Sequence, residues 1–154
     1  MKNSLKITTP TDREILITRA FDAPRELVFS WWTEGEKMQQ WSGCKEATRC
    51  EIQMDFRVGG GFTQKMQIGG KGEFTITGKY DEIVAPEKIV YRADLGFGVT
   101  RVQVEFIEHG SQTKVVLTQE GFPNDFLSQT VTQGTTESFD KLESILAREA
   151  RVTQ

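Results

Sequence analysis

Between Glu14 and Phe21 the apolar residues Ile15, Ile17 and Phe21 fall on one side of the chain, the period-two pattern of a half-buried strand. Asp22-Ala23-Pro24 ends it, and Pro24 suits the first turn of a helix, where its missing N–H has no partner to lose. Glu26 adds negative charge near the positive end of that helix, and Leu27, Val28, Trp31 and Trp32 share one helical side. Thr33-Glu34-Gly35-Glu36 has the spacing of a capping box, which predicts a second short helix carrying Met38 and Trp41 inward.

Period two then returns. Cys50, Ile52, Met54, Phe56 and Val58 alternate, and Gly59-Gly60-Gly61 turns the chain into Phe62, Gln64, Met66 and Ile68. Gly69-Gly70-Lys71-Gly72 turns it again into Phe74, Ile76, Gly78 and Tyr80. Ala85-Pro86-Glu87 separates that strand from Ile89, Tyr91 and Ala93, with Pro86 expected at the second position of a turn. Val102, Val104 and Phe106 form another run, and Glu108-His109-Gly110-Ser111 leads into Val115 and Leu117. Strands joined by such short turns pair antiparallel.

After Gly121-Phe122-Pro123 the period changes to 3.6. Leu127, Val131, Gly134, Ser138, Leu142 and Ile145 form one stripe, widened by Phe139 and Leu146, with Asn124 or Asp125 as cap. The only large face open to this stripe is the concave side of the sheet. The pattern predicts an α+β helix-grip fold: a strand, two short helices, six strands and a long C-terminal helix, with a curved antiparallel sheet of about seven strands wrapped around that helix. Residues 1–13 are expected to be a polar tail and residues 14–149 a single domain.

Composition adds limits. The chain has 154 residues, 37% hydrophobic and 27% charged, enough for one packed core. A net charge of -3 without a dense basic run argues against a nucleic-acid partner. No apolar run reaches the roughly 20 residues of a membrane span. Met1 to Arg13 lacks the pattern of a signal peptide, which points to a cytoplasmic protein. Cys44 and Cys50 have neither CxxC spacing nor histidines around them, so they outline no zinc site and are read as ordinary thiols.

Catalytic patterns are missing as well. The single histidine, His109, sits in a turn between strands, and no nucleophile-elbow, metalloprotease or phosphate-loop pattern occurs. The glycine stretches lead into strands, whereas a phosphate cradle leads into a helix N-terminus. No catalytic residue, metal ligand or cofactor is assigned. The stronger signal is aromatic: Trp32, Trp41, Phe56, Phe62, Phe74, Tyr80, Tyr91, Phe106 and Phe139 are candidates to line a pocket, together with Met66, Val131, Gly134 and Thr135. A buried tyrosine hydroxyl needs a partner, which a ligand can supply. Arg19, Gln64 and Arg101 would join the lining if the strand register turned them inward.

Several segments also resemble the activator of heat-shock-protein-90 ATPase homologue family. They are Phe21-Asp22-Ala23-Pro24-Arg25-Glu26-Leu27-Val28-Phe29, Trp32-Thr33, Trp41, Asp55-Phe56-Arg57-Val58-Gly59-Gly60, Gly72-Glu73-Phe74, Gly78-Lys79-Tyr80-Asp81-Glu82-Ile83-Val84 and Pro86-Glu87-Lys88-Ile89-Val90-Tyr91. The resemblance implies the START-like (SRPBCC) superfamily, with an apolar pocket between sheet and C-terminal helix. Where family members commonly carry Gly-Trp in that helix, this chain has Gly134-Thr135. The expected activity is binding of a small apolar or amphipathic molecule without chemistry, by a monomer or homodimer. A protein-interaction module related to the chaperone activator is the alternative, and a cyclase- or hydrolase-like enzyme comes third.

Overall fold

The computed structural model describes residues 6–8, 13–43 and 45–152. Its sheet is built of β1 (Lys6–Thr8), β2 (Glu14–Phe21), β3 (Ala47–Met54), β4 (Gly61–Ile68), β5 (Gly72–Val84), β6 (Lys88–Asp94), β7 (Val99–His109) and β8 (Gln112–Glu120). The helices are α1 (Arg25–Ser30), α2 (Gly35–Trp41) and α3 (Asp125–Val152). All neighbouring strands pair antiparallel, in the order β1-β2-β8-β7-β6-β5-β4-β3. The seven expected strands and the long last helix are present. Residues 6–8, placed by the sequence in a polar tail, add a three-residue strand against Leu16–Thr18. Cys44 lies outside the described residues.

Local chemistry accounts for most element ends. Asn124 caps α3, its Oδ1 accepting the Leu127 N–H at 2.9 Å. Pro24 stands at the N-cap of α1, one position before the helix proper. Thr33 and Glu36 do not form the expected capping box. The Thr33 hydroxyl instead donates to the Ser30 carbonyl at 3.0 Å, closing the end of α1, and α2 starts with Glu34 at its N-cap and no side-chain cap. The Ala85-Pro86 peptide is cis, and Pro86 is the third residue of a turn in which the Glu87 N–H bonds to Val84, not the second.

The alternation written along residues 50–58 also ends sooner than expected. β3 stops at Met54, the Asp55 N–H bonds to Gly61, and the chain folds back on itself. Phe56 still points inward, but Val58 is exposed.

The core lies between the concave face and the helices. Trp32 contacts Trp41, Phe106 and Phe139 at ring distances of 4.6, 5.0 and 6.0 Å, and Phe139 meets Phe21 at 5.7 Å. Beneath them Ile15, Ile17, Val104 and Val115 are fully buried. α3 comes closest to β2 and α2. At that end Arg19 points inward, 4% exposed, and reaches α3: Nη2 donates to Glu143 at 2.9 Å and Nη1 lies 2.7 Å from Asp140. The second contact is off the N–H direction, and Nε has no partner.

Candidate functional site

Strand register settles which side chains share the concave face, because residues paired across a sheet point the same way. One inward row runs Gln119, Val102, Tyr91, Tyr80 across β8, β7, β6 and β5. The next runs Thr100, Ala93, Gly78, Phe62, Met54. Beyond it come Ile76, Gln64, Ile52, and then Phe74, Met66, Cys50. None of the inward positions on β3 to β6 is charged.

Coverage of this face is uneven. Most inward residues on β2, β7 and β8 are sealed beneath α1 and the second half of α3, while α2 packs on β3 beside Ile52. On β3 to β6, by contrast, Met54, Phe62, Gln64, Ile76, Gly78 and Tyr91 are only half-buried. On the first half of α3, Leu127 and Val131 pack against the core. Only residues 121–124 separate the helix from β8, so it starts beside Gln119, and by Phe139 it has reached Phe21. Between those points Leu127, Val131, Gly134 and Thr135 are also half-buried.

The sequence-predicted lining therefore divides. Trp32, Trp41, Phe106 and Phe139 belong to the sealed core. Phe56, Phe62, Tyr80 and Tyr91 form a second aromatic group, with ring distances of 5.1 Å for Phe56–Tyr80, 5.4 Å for Phe62–Tyr91 and 6.1 Å for Tyr80–Tyr91. Val131, Gly134 and Thr135 lie half-buried on the first half of α3. Met66 lies at the Gly43 end of the face, which α3 ties down through bonds from Ser138 Oγ (2.9 Å) and Lys141 Nζ (3.1 Å) to the Gly43 carbonyl. Phe74 is 46% exposed and stands outside the group. Arg101 is on the outer face, 3.9 Å from Glu120. His109 is exposed at the β7–β8 turn.

Gly78 has a visible role here. A Cβ at this position would meet the Phe62 ring at 2.2 Å and the Arg92 carbonyl at 2.5 Å, so its absence lets the ring lie flat against the strand.

Polar groups are few. Burial pushes the Tyr91 phenol up to about 12 and raises Tyr80 as well, the neighbouring Tyr91 adding a smaller upward push. No hydrogen bond from the described residues holds either hydroxyl, and neither is a sealed, unpartnered atom. Gln64 Nε2 lies 3.6 Å from the Cys50 sulfur, whose thiol is raised chiefly by burial. Gln119 and Thr100, absent from the sequence-predicted set, form a buried pair: the Thr100 hydroxyl donates to the Ala93 carbonyl at 3.2 Å and accepts from Gln119 Nε2 at 2.9 Å. Their inward phase with Val102 and Leu117 was the signal that could have found them. Among the described residues no cluster of His, Cys, Asp and Glu could hold a metal ion, and no helix is long and apolar enough to cross a membrane.

Two open hollows lie elsewhere. One is lined by Gln40, Lys141, Ser144, Ile145 and Arg148, the other by Arg25, Glu87, Lys88, Glu105, Glu108 and neighbours. Both face bulk water and are rich in charge, so neither suits an apolar molecule.

Comparison with known proteins agrees with this fold. Residues 22–147 match the family model described as Activator of Hsp90 ATPase homolog 1-like protein. A solved protein from Rhizobium leguminosarum is 26% identical, with a TM-score of 0.74 over 94% of this chain and 97% of its own. One from Arthrobacter aurescens has a TM-score of 0.79 at 16% identity, covering 93% and 91% of the two chains. The AHSA1 protein of Silicibacter pomeroyi has a TM-score of 0.72 at 21% identity, over 88% of this chain and 99% of its own. No curated protein resembles the chain closely enough to count as a relative.

Proposed function

The chain belongs to the family of Activator of Hsp90 ATPase homolog 1-like proteins, and from that starting point we propose that it binds a small apolar or amphipathic molecule, without chemistry, between β3–β6 and the first half of α3. The observation that carries the reading is the half-buried state of Phe62, Ile76 and Tyr91 on the inward rows of β4, β5 and β6, on a concave face whose other half is mostly sealed. Apolar side chains left partly covered under a helix gain roughly 25 cal/mol for each Å² that a ligand removes from water.

Two further features support binding rather than catalysis. The inward groups on β3–β6 include no carboxylate or histidine, and the raised tyrosines and thiol hold their protons at neutral pH. An NMR titration with naphthalene tests the site. Backbone amide signals of Phe62, Tyr91 and Val131 should move together, and those of Arg92 and Arg101 on the outer face should not. Unmoved signals at the first three residues up to the solubility limit refute the proposal.

A further inference from the structure

Resting on that binding site, we propose that its ligand is electrically neutral at its polar end and presents a hydrogen-bond donor, such as a hydroxyl or an amide N–H, to the Oε1 atom of Gln119.

The orientation of Gln119 follows from its chain of bonds. Thr100 uses its only hydroxyl proton on the Ala93 carbonyl, so toward Gln119 it can only accept, and the amide must turn its nitrogen to Thr100. The Gln119 carbonyl oxygen is thereby left pointing away from its anchor. Gln119 is 6% exposed, yet this oxygen receives no hydrogen bond from the described residues and is not among the sealed, unpartnered atoms. Gln119 stands in the same inward row as Tyr91, whose free hydroxyl makes a second neutral contact point.

Charge is what the site lacks. Moving an unpaired ion out of water is strongly unfavourable, so a charged ligand end needs an available counter-ion. Arg19 is held by Asp140 and Glu143 at the sealed end, and the Lys141 ammonium, which donates to the Gly43 carbonyl, acts at the Cys50 edge of the sheet, on β3, far from Gln119 on β8. No carboxylate projects from the inward positions of β3–β6 to meet a cation.

The test uses one ring system with four ends: naphthalene, naphthol, naphthoate and naphthylmethylammonium, each titrated by calorimetry into the intact protein near neutral pH. Naphthol should bind about tenfold or more tightly than either ion, and more tightly than naphthalene. Gln119→Met should reduce naphthol to the affinity of naphthalene and leave naphthalene unchanged. Naphthoate or the ammonium ion equalling naphthol overturns the neutral-end proposal while leaving the pocket itself in place. Equal loss of naphthol and naphthalene in Gln119→Met removes Gln119 as the anchor. Failure of all four to bind refutes the pocket as well. The wild-type series decides the charge question even if the variant does not fold.

Discussion

Arg19 gives the most discriminating prediction about stability, because its two carboxylate partners are not buried as it is. The guanidinium is 5% exposed by side chain, whereas Asp140 is 62% and Glu143 37% exposed. Neutralising both acids with Asp140→Asn and Glu143→Gln leaves a cation in the core without counter-ions. Breaking a fully buried pair costs about 3–5 kcal/mol. Because both acids are partly exposed to water, Nη1 is misaligned and Nε has no partner, the cost falls below that range, to about 2–3 kcal/mol. In a domain of this size that corresponds to a fall in Tm of roughly 5–10 °C.

Arg19→Met behaves differently. It removes the buried charge, keeps most of the volume and returns both acids to water, so it should stay within about 1 kcal/mol of wild type. The small loss comes from the guanidinium's contact with the Phe21 ring at 5.8 Å. Adding Arg19→Met to the double acid variant should then rescue most of its stability, a coupling that independent sites do not show. Urea denaturation of the four proteins measures all three differences. If Arg19→Met loses as much as the double acid variant and the triple loses more than either, the reasoning from desolvation is wrong.

Three other outcomes are expected. Gly78→Ala should lower stability by about 1–3 kcal/mol, read by thermal melting, since the new methyl overlaps the Phe62 ring and the Arg92 carbonyl; an unchanged Tm refutes the close approach. Asn124→Ala should cost about 1 kcal/mol through loss of the α3 cap, whereas Asn124→Asp should retain most of it, again by urea denaturation. Ultraviolet titration should show no phenolate from the chain's two tyrosines, Tyr80 and Tyr91, as pH passes 10 while the protein stays folded. Both are protonated in the folded state above the pH at which they ionise when unfolded, so their contribution is complete below pH 10 and is lost as pH rises toward about 12; ordinary titration at 10 in the folded protein contradicts their burial.

The order of elements was legible because alternation and the switch to a 3.6 period are local signals. Depth of cover was not, since period two tells which face a residue takes and nothing about what lies over it. Phe62 and Phe106 alternate equally well, yet one is half-buried and the other sealed. Phase also slips at irregularities: the register shift between Tyr80 and Glu82 turns Ile83 inward and leaves Val84 exposed. The Thr33 spacing matched a capping box, but the Ser30 carbonyl at the end of α1 took the hydroxyl. Gln119 and Thr100 were overlooked because a polar residue in a strand reads as an outward one until a partner is found for it.

The pairing of β2 with β8 has a further consequence for how the protein is made. Phe21 lies opposite Thr113 and Glu14 opposite Glu120, so partners are separated by 92 to 106 positions. During synthesis the turns from β3 to β8 can each close with a neighbour already at hand. β2 has only the three residues of β1 at hand, and its pairing with β8 waits until the sixth strand of the meander has emerged. Closing so long a loop is slow compared with forming hairpins. The nascent chain therefore carries the β8-facing edge of an apolar strand unpaired through most of its translation.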